Sequence, residues 1–243
     1  MLISQTALNR FIDCPYQYKL SYVNGKEGIY YNQDALDIGK HTHKAIELMY
    51  KRHYTIDMLN PETILYYSYD NLKNIWDTTL STEAYKKAYL CLYNHSQWQA
   101  TYPLGIDPIV EPHIIEESDD DYKWHGYIDF IDKPKLKVID WKTNTKAVLS
   151  KQYRYQAEVY RALFKSKYGI DLPYFYFYFL YPNEWRTVSF EKESQKKVAV
   201  EMKKEKARFI NAIEDSDFPK QPRTKNMCKN CAYRFYCKVL EIE

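Results

Sequence analysis

The run PYFYFYFLY at 173–181 carries no polar break. Side chains alternate between the two faces of a strand, so a strand of this composition needs cover on both sides. It predicts a central strand with helices packed above and below. The neighbouring sequence agrees. A helical pattern over 151–168 precedes it, a strand over 185–190 follows, and 191–213 reads as a charged, amphipathic helix. Upstream, 109–116, 123–131 and 136–141 read as short strands, with Asp132-Lys133-Pro134-Lys135 as a hairpin turn. The order strand–strand–strand–helix–strand–strand–helix predicts an α/β fold, with one mixed sheet flanked by helices.

The first hundred residues differ in period. Ser4 is placed to cap a helix over 5–13 that ends at Cys14-Pro15. A second helix is expected over 34–52, where Ala35, Ile38, Ala45, Ile46 and Met49 recur at helical spacing, and two more over 61–78 and 82–101. With 45% hydrophobic residues the chain of 243 can bury a sizeable core, which excludes disorder. No apolar run approaches the ~20 residues that span a bilayer, and the N-terminus MLISQTALNRF lacks the apolar segment of a signal peptide. A soluble, cytoplasmic protein without membrane association is expected.

Chemistry concentrates in two adjacent segments. Gly126-Tyr127-Ile128-Asp129 puts an acid on one strand, and Val138-Ile139-Asp140-Trp141-Lys142 puts an acid and a lysine two apart on the next. Residues two apart project to the same face, so Asp140 and Lys142 should point together with Asp129 opposite. Carboxylates at the ends of apolar strands are costly unless paired, and a divalent cation relieves that cost. A lone DxK pair is common at strand ends, so the weight comes from further motifs. Gly39-Lys40-His41-Thr42-His43 places His43 one helical turn before Glu47, as a metal ligand with a carboxylate beside it. Gln156 and Tyr160 are likewise one turn apart, on the helix after the DxK strand.

Cys228, Cys231 and Cys237 lie in a stretch, 218–240, that has no acidic residue but carries Lys220, Arg223, Lys225, Lys229, Arg234 and Lys238. In a reducing compartment such cysteines are metal ligands rather than disulfide partners. Three close cysteines need a fourth ligand, and Cys14 is the candidate; Cys91 sits in an apolar helical context and reads as a core thiol. One remote cysteine plus CxxC-x5-C fits a 4Fe–4S cluster better than zinc, which prefers two close pairs. The basic residues suggest a local anionic partner. Arg223, Lys225 and Arg234 are candidate phosphate contacts and Tyr233 a candidate stacking ring.

In order and spacing these motifs resemble the RecB-like branch of the PD-(D/E)xK nucleases, more narrowly its iron–sulfur members, the AddB C-terminal nuclease and the CRISPR-associated adaptation nucleases. The segments that carry the likeness are 4–18, 39–47, 126–129, 139–142, 156–160 and 228–237. The resemblance implies a restriction-endonuclease-like core at 105–214, a helical region at 21–104 carrying the GxxxH motif, and a small iron–sulfur subdomain built from 1–20 and 215–243. It implies that His43, Asp129, Asp140 and the Trp141 carbonyl hold Mg²⁺ or Mn²⁺ and that Lys142 is the catalytic lysine. Gln156 and Tyr160 match the family's QxxxY motif beside the active site and the DNA. Cys14, Cys228, Cys231 and Cys237 match the cluster ligands. Glu111 stands where members often carry an acid, although Glu116 and Glu117 are near. The implied activity is metal-dependent cleavage of DNA, exonucleolytic and on single strands or ends. The alternative is a catalytically silent DNA-binding or adaptor subunit of a recombination or CRISPR adaptation complex. No GxxxxGK[ST] phosphate loop occurs, so any motor, such as a partner helicase, is expected to be supplied elsewhere.

Overall fold

The computed structural model describes residues 1–30, 33–53, 60–76, 80–102, 108–118 and 120–239. Strand β1 (Leu2–Ser4) leads into α1 (Gln5–Asp13), whose first turn is capped by the Ser4 hydroxyl accepting from the Ala7 N–H at 3.1 Å. The helix stops at Cys14, which is extended because Pro15 disfavours a helical residue before it. Pro15 then opens α2 (Pro15–Tyr18). Three long helices follow: α3 (Gln33–His53), α4 (Pro61–Ile75) and α5 (Thr82–Thr101). Helix α4 ends three residues before the expected boundary, and Thr78 lies outside the described residues.

Two sheets come next where sequence suggested one. Strands β2 (Ile109–Val110), β5 (Phe130–Asp132), β6 (Lys137–Lys142), β7 (Tyr174–Phe179) and β8 (Glu184–Ser189) form a mixed sheet in the order β2-β5-β6-β7-β8. Strands β3 (His113–Ile115) and β4 (Lys123–Tyr127) join β1 in a second sheet, β1-β4-β3. The split is a bend in one long hairpin. The register Ile109↔Ile131 and Val110↔Phe130 continues in step to His113↔Tyr127 and Ile115↔His125. Glu111 therefore falls opposite Asp129 at the bend, and the Glu111 N–H donates to the Asp129 carbonyl at 3.2 Å.

Strand β7 lies inside the sheet, one place from its edge and not at its centre, which β6 occupies. It runs parallel to β6, joined by α6 (Lys151–Tyr168), and antiparallel to β8. Helix α6 is capped by Ser150 and closed by Gly169 in the left-handed conformation, φ 70°. Phe175, Phe177 and Phe179 pack under α6 and α7 (Glu193–Glu214), while Tyr178 faces the α3–α5 layer with Ile139 and Trp141. Two apolar layers thus sandwich the sheet. The chain closes through a short 3₁₀ turn, Lys225–Asn230, and α8 (Arg234–Val239).

Candidate active site

The bend in the hairpin assembles the site. Glu111 sits at φ 51°, a left-handed conformation that a non-glycine residue adopts at a cost of order 1–3 kcal/mol. Asp129 is next to Asp140 in the β5–β6 register, one step past Phe130↔Ile139. Its Oδ2 accepts from the Trp141 N–H at 2.6 Å, and its Oδ1 lies 3.4 Å from His43 Nδ1 on α3. Ligand atoms of His43, Glu111 and Asp129 all lie within 4.8 Å of one another. An imidazole with two carboxylates suits a divalent cation that favours oxygen and nitrogen donors.

The β6 pair turns to the α6 side of that group. Asp140 is buried; its Oδ2 is 2.5 Å from Lys142 Nζ and its Oδ1 accepts from Gln156 Nε2 at 2.7 Å. Lys142 also donates to Gln156 Oε1 at 3.0 Å, and Gln156 Nε2 donates to the Tyr160 hydroxyl at 3.1 Å. Gly126 lets α6 come this close: a Cβ there would meet Tyr160 Cε1 at 3.1 Å. His43, Asp129, Asp140, Lys142, Gln156 and Tyr160, expected from sequence to share a site, are brought together. Glu111, only weakly signalled by sequence, lies with His43 and Asp129 in the group that could hold an ion, whereas Asp140 in this arrangement is engaged by Lys142 and Gln156. Glu47 pairs with Lys44 at 2.8 Å and Lys51 at 2.7 Å, and its charge also acts on Glu111.

Electrostatics reflect this crowding. Burial opposes a charge on His43, but the Asp129, Asp140 and Glu111 carboxylates outweigh it and push the imidazole up to about 9. Burial and the Asp129 charge push Glu111 up to about 7. Burial pushes Asp140 up to about 6, against the pull of Lys142. Burial also acts on Asp129, yet His43 and Lys142 hold it below the usual carboxylate range. Glu111 and Asp140 are thus held above, and Asp129 below, the usual carboxylate range by the groups packed around them.

Cys14, Cys228, Cys231 and Cys237 all line one cavity of about 700 Å³ between the two ends of the chain. Burial pushes the Cys231 thiol up, and the Cys14, Cys228 and Cys237 sulfurs around it add to that. Among the described residues no three cysteine sulfurs come within 4.8 Å of one another. Cys91 is a buried core thiol. Tyr233, expected from sequence as a stacking ring, is 2% exposed. Its hydroxyl bonds Ser21 at 3.0 Å and Arg10 at 3.1 Å, so it holds the C-terminal segment to the N-terminal one and is not free to meet a base. Arg223 is partly engaged with Asp13, at 3.4 Å, while Arg234 is exposed. The Lys225 side chain lies outside the described residues.

A carboxylate–histidine group that could hold a cation thus lies beside a carboxylate–lysine pair, at the bend of a mixed sheet. The family model of the PD-(D/E)XK nuclease superfamily matches residues 2–238, and the chain belongs to that superfamily. Its α/β core is the restriction-endonuclease-like fold. Comparison with curated proteins yields no match. Among solved structures, the crystal structure of SSO0001 is 17% identical, with a TM-score of 0.41, covering 82% of this chain and 96% of that one. No helix among the described residues is long and apolar enough to cross a membrane.

Proposed function

We propose that this nuclease is a Mg²⁺- or Mn²⁺-dependent deoxyribonuclease that acts exonucleolytically on single-stranded DNA or DNA ends. The observation that carries the reading is the convergence of His43, Glu111 and Asp129 with the Asp140–Lys142 pair beside them. These three would hold the ion, with Asp140 and the Trp141 carbonyl as further ligands. N–H and C=O of one strand residue point to the same edge, and the Trp141 N–H already faces Asp129. When bound, the cation supplies Lewis acidity to the phosphodiester and to the attacking water. Lys142 stabilises the negative charge that develops on the phosphate. Gln156, bridging Asp140, Lys142 and Tyr160, fixes their orientation.

The same proposal includes a 4Fe–4S cluster on Cys14, Cys228, Cys231 and Cys237, in a subdomain formed by 1–20 and 215–243. Support comes from the shared cavity and from the residue types that line it. Arg223, Lys225 and Arg234 would meet phosphates beside the cluster, and a helicase or a recombination or CRISPR adaptation complex would supply the partner protein. The test is digestion of end-labelled single- and double-stranded DNA by anaerobically purified protein, with Mg²⁺, Mn²⁺ or chelator. Cation-dependent release of nucleotides from ends, lost in Asp140→Ala, is expected. Equal digestion by Asp140→Ala would sink the catalytic assignment, and DNA binding without cleavage by the wild type would favour the adaptor reading.

A further inference from the structure

Lys142 is the side chain that the nuclease reading sets against the charge developing on the phosphate, and a lysine's flexible stem lets its ammonium wander. Two polar groups hold Nζ: Asp140 Oδ2 at 2.5 Å and Gln156 Oε1 at 3.0 Å. A further contact is a ring. Nζ stands over the Tyr153 ring, 4.8 Å from its centroid, and lies 5.6 Å from the centroid of Phe177. Phe177 and Phe179 are the β7 partners of Asp140 and Lys142 in register, so all four side chains share the α6 face of the sheet. Tyr153 covers that face from the first turn of α6, where its N–H donates to the Ser150 hydroxyl at 3.2 Å. It stands three residues before Gln156, and Tyr160 four after, so the three lie on one stripe of the helix. The Tyr153 ring packs on Phe177 at 5.4 Å and on Phe179 at 6.0 Å, and its hydroxyl donates to Asn144 Oδ1 at 2.8 Å. Asn144 comes two residues after Lys142, so the segment that carries the lysine also ties down the ring.

We propose that Tyr153 is a positioning residue for Lys142: its ring face keeps the ammonium beside Asp140, where the phosphate is to meet it. The inference rests on the nuclease reading for the reaction it serves. A cation over a ring is held by the ring's quadrupole, more strongly where water is excluded. The Lys142 side chain is only 17% exposed there. The ring also does what the Asp140 oxygens cannot. In the nuclease reading Asp140 is a further ligand, and a divalent cation competes with the ammonium for those oxygens. Such a cation takes oxygen donors, which a ring face does not offer, so the Tyr153 contact outlasts the competition. Packing by itself does not require a ring at this place. Tyr153 is only partly buried, and an aliphatic side chain would cover Phe177 and Phe179 without holding a charge.

The test uses turnover and, separately, stability. Turnover is measured in Mn²⁺ on a single-stranded oligonucleotide that carries a fluorophore and a quencher. Tyr153→Leu keeps apolar cover but has no ring face. It should lower kcat about tenfold, the order of a desolvated cation–ring contact, and leave KM within about twofold of the wild type. Tyr153→Phe keeps the ring and should hold kcat within about twofold. Tyr153→Met replaces Tyr153→Leu should the latter fail to fold. The second readout needs no turnover: urea midpoints of the full chain in chelator. Tyr153→Leu should shift the midpoint less in a Lys142→Met background than in the wild type, because the contact it removes is already gone. Wild-type kcat in Tyr153→Leu overturns the proposal. So does an equal loss in Tyr153→Phe, or the same midpoint shift in both backgrounds. Should the wild type show no cation-dependent hydrolysis, the nuclease reading fails, and the midpoints alone decide whether the ring holds the ammonium.

Discussion

Asp140 shows how one residue is read at two levels. Its place two before Lys142 is a sequence fact, but its state is set by burial beside Asp129. A carboxyl raised in the folded protein, here to about 6, favours folding below its unfolded value and loses that contribution as pH rises through 6. At pH 8 the ionised group therefore opposes folding. Asp140→Asn should lower nuclease turnover at least about 10³-fold, in line with loss of a group acting on transition-state charge. In chelator at pH 8 it should melt at or above the wild type; a lower melting temperature would show that the ion pair with Lys142 outweighs the burial cost. Proton competition gives a second expectation. His43 holds its proton up to about 9 and Glu111 up to about 7 in the metal-free protein. A cation must displace both, so its binding should tighten between pH 6 and 9 and release protons, measurable as buffer-dependent heats in titration calorimetry. Affinity independent of pH over that window would remove these two groups from the ligand set.

Among the elements, helix α5 carries an exposed test of the packing. His95 is fully buried against Tyr50, Trp98 and Trp141, and neither ring nitrogen has a hydrogen-bond partner among the described residues. Burial, with the His43 charge, pushes it down to about 3. The unfolded chain therefore binds a proton that the folded one excludes. The contribution of this group is whole above its unfolded value near 6.5 and falls by about 1.4 kcal/mol per pH unit below it, down to about 3. His95→Phe should flatten the acid limb of a urea-midpoint profile between pH 6 and 4; an unchanged slope would assign acid lability elsewhere. The bent hairpin is the other decisive element. Its alternation was legible as strands over 109–116 and 123–131, but the break at Glu111 and Asp129 was not. Nothing in Glu-Pro or Ile-Asp announces a left-handed residue, and beyond the bend β4 pairs with β1, a segment remote in sequence.

For the whole molecule, the two ends of the chain meet through Arg10. Its guanidinium bonds Ser21 at 2.5 Å and the Tyr233 and Tyr30 hydroxyls at 3.1 Å, and lies over the Tyr22 and Tyr233 rings. The segment that holds Leu20, Ala232 and Tyr233 has only a small apolar core of its own. A cluster bridging Cys14 to the other three cysteines would close a loop across most of the chain, a constraint that stabilises strongly. Protein purified anaerobically should be brown, with absorbance near ~400 nm from the cluster. Cys14→Ser and Cys231→Ser should each lose iron and melt earlier than the wild type. Full iron content in Cys14→Ser would exclude the N-terminal ligand.

Local sequence determined the helices, the Ser4 cap, a strand within 173–181 that is buried on both faces only in its second half, and the identity of the acid, lysine, glutamine and tyrosine that gather at the site. Such features depend on residues close in the chain, through period, capping hydroxyls and the Pro15 and Gly169 stops. Tertiary structure alone decided that Glu111 joins His43 and Asp129, that Tyr233 is buried and that the hairpin divides between two sheets. Those outcomes turn on pairings between distant segments, β1 with β4 and α3 against the bend, whose partners no local pattern can name.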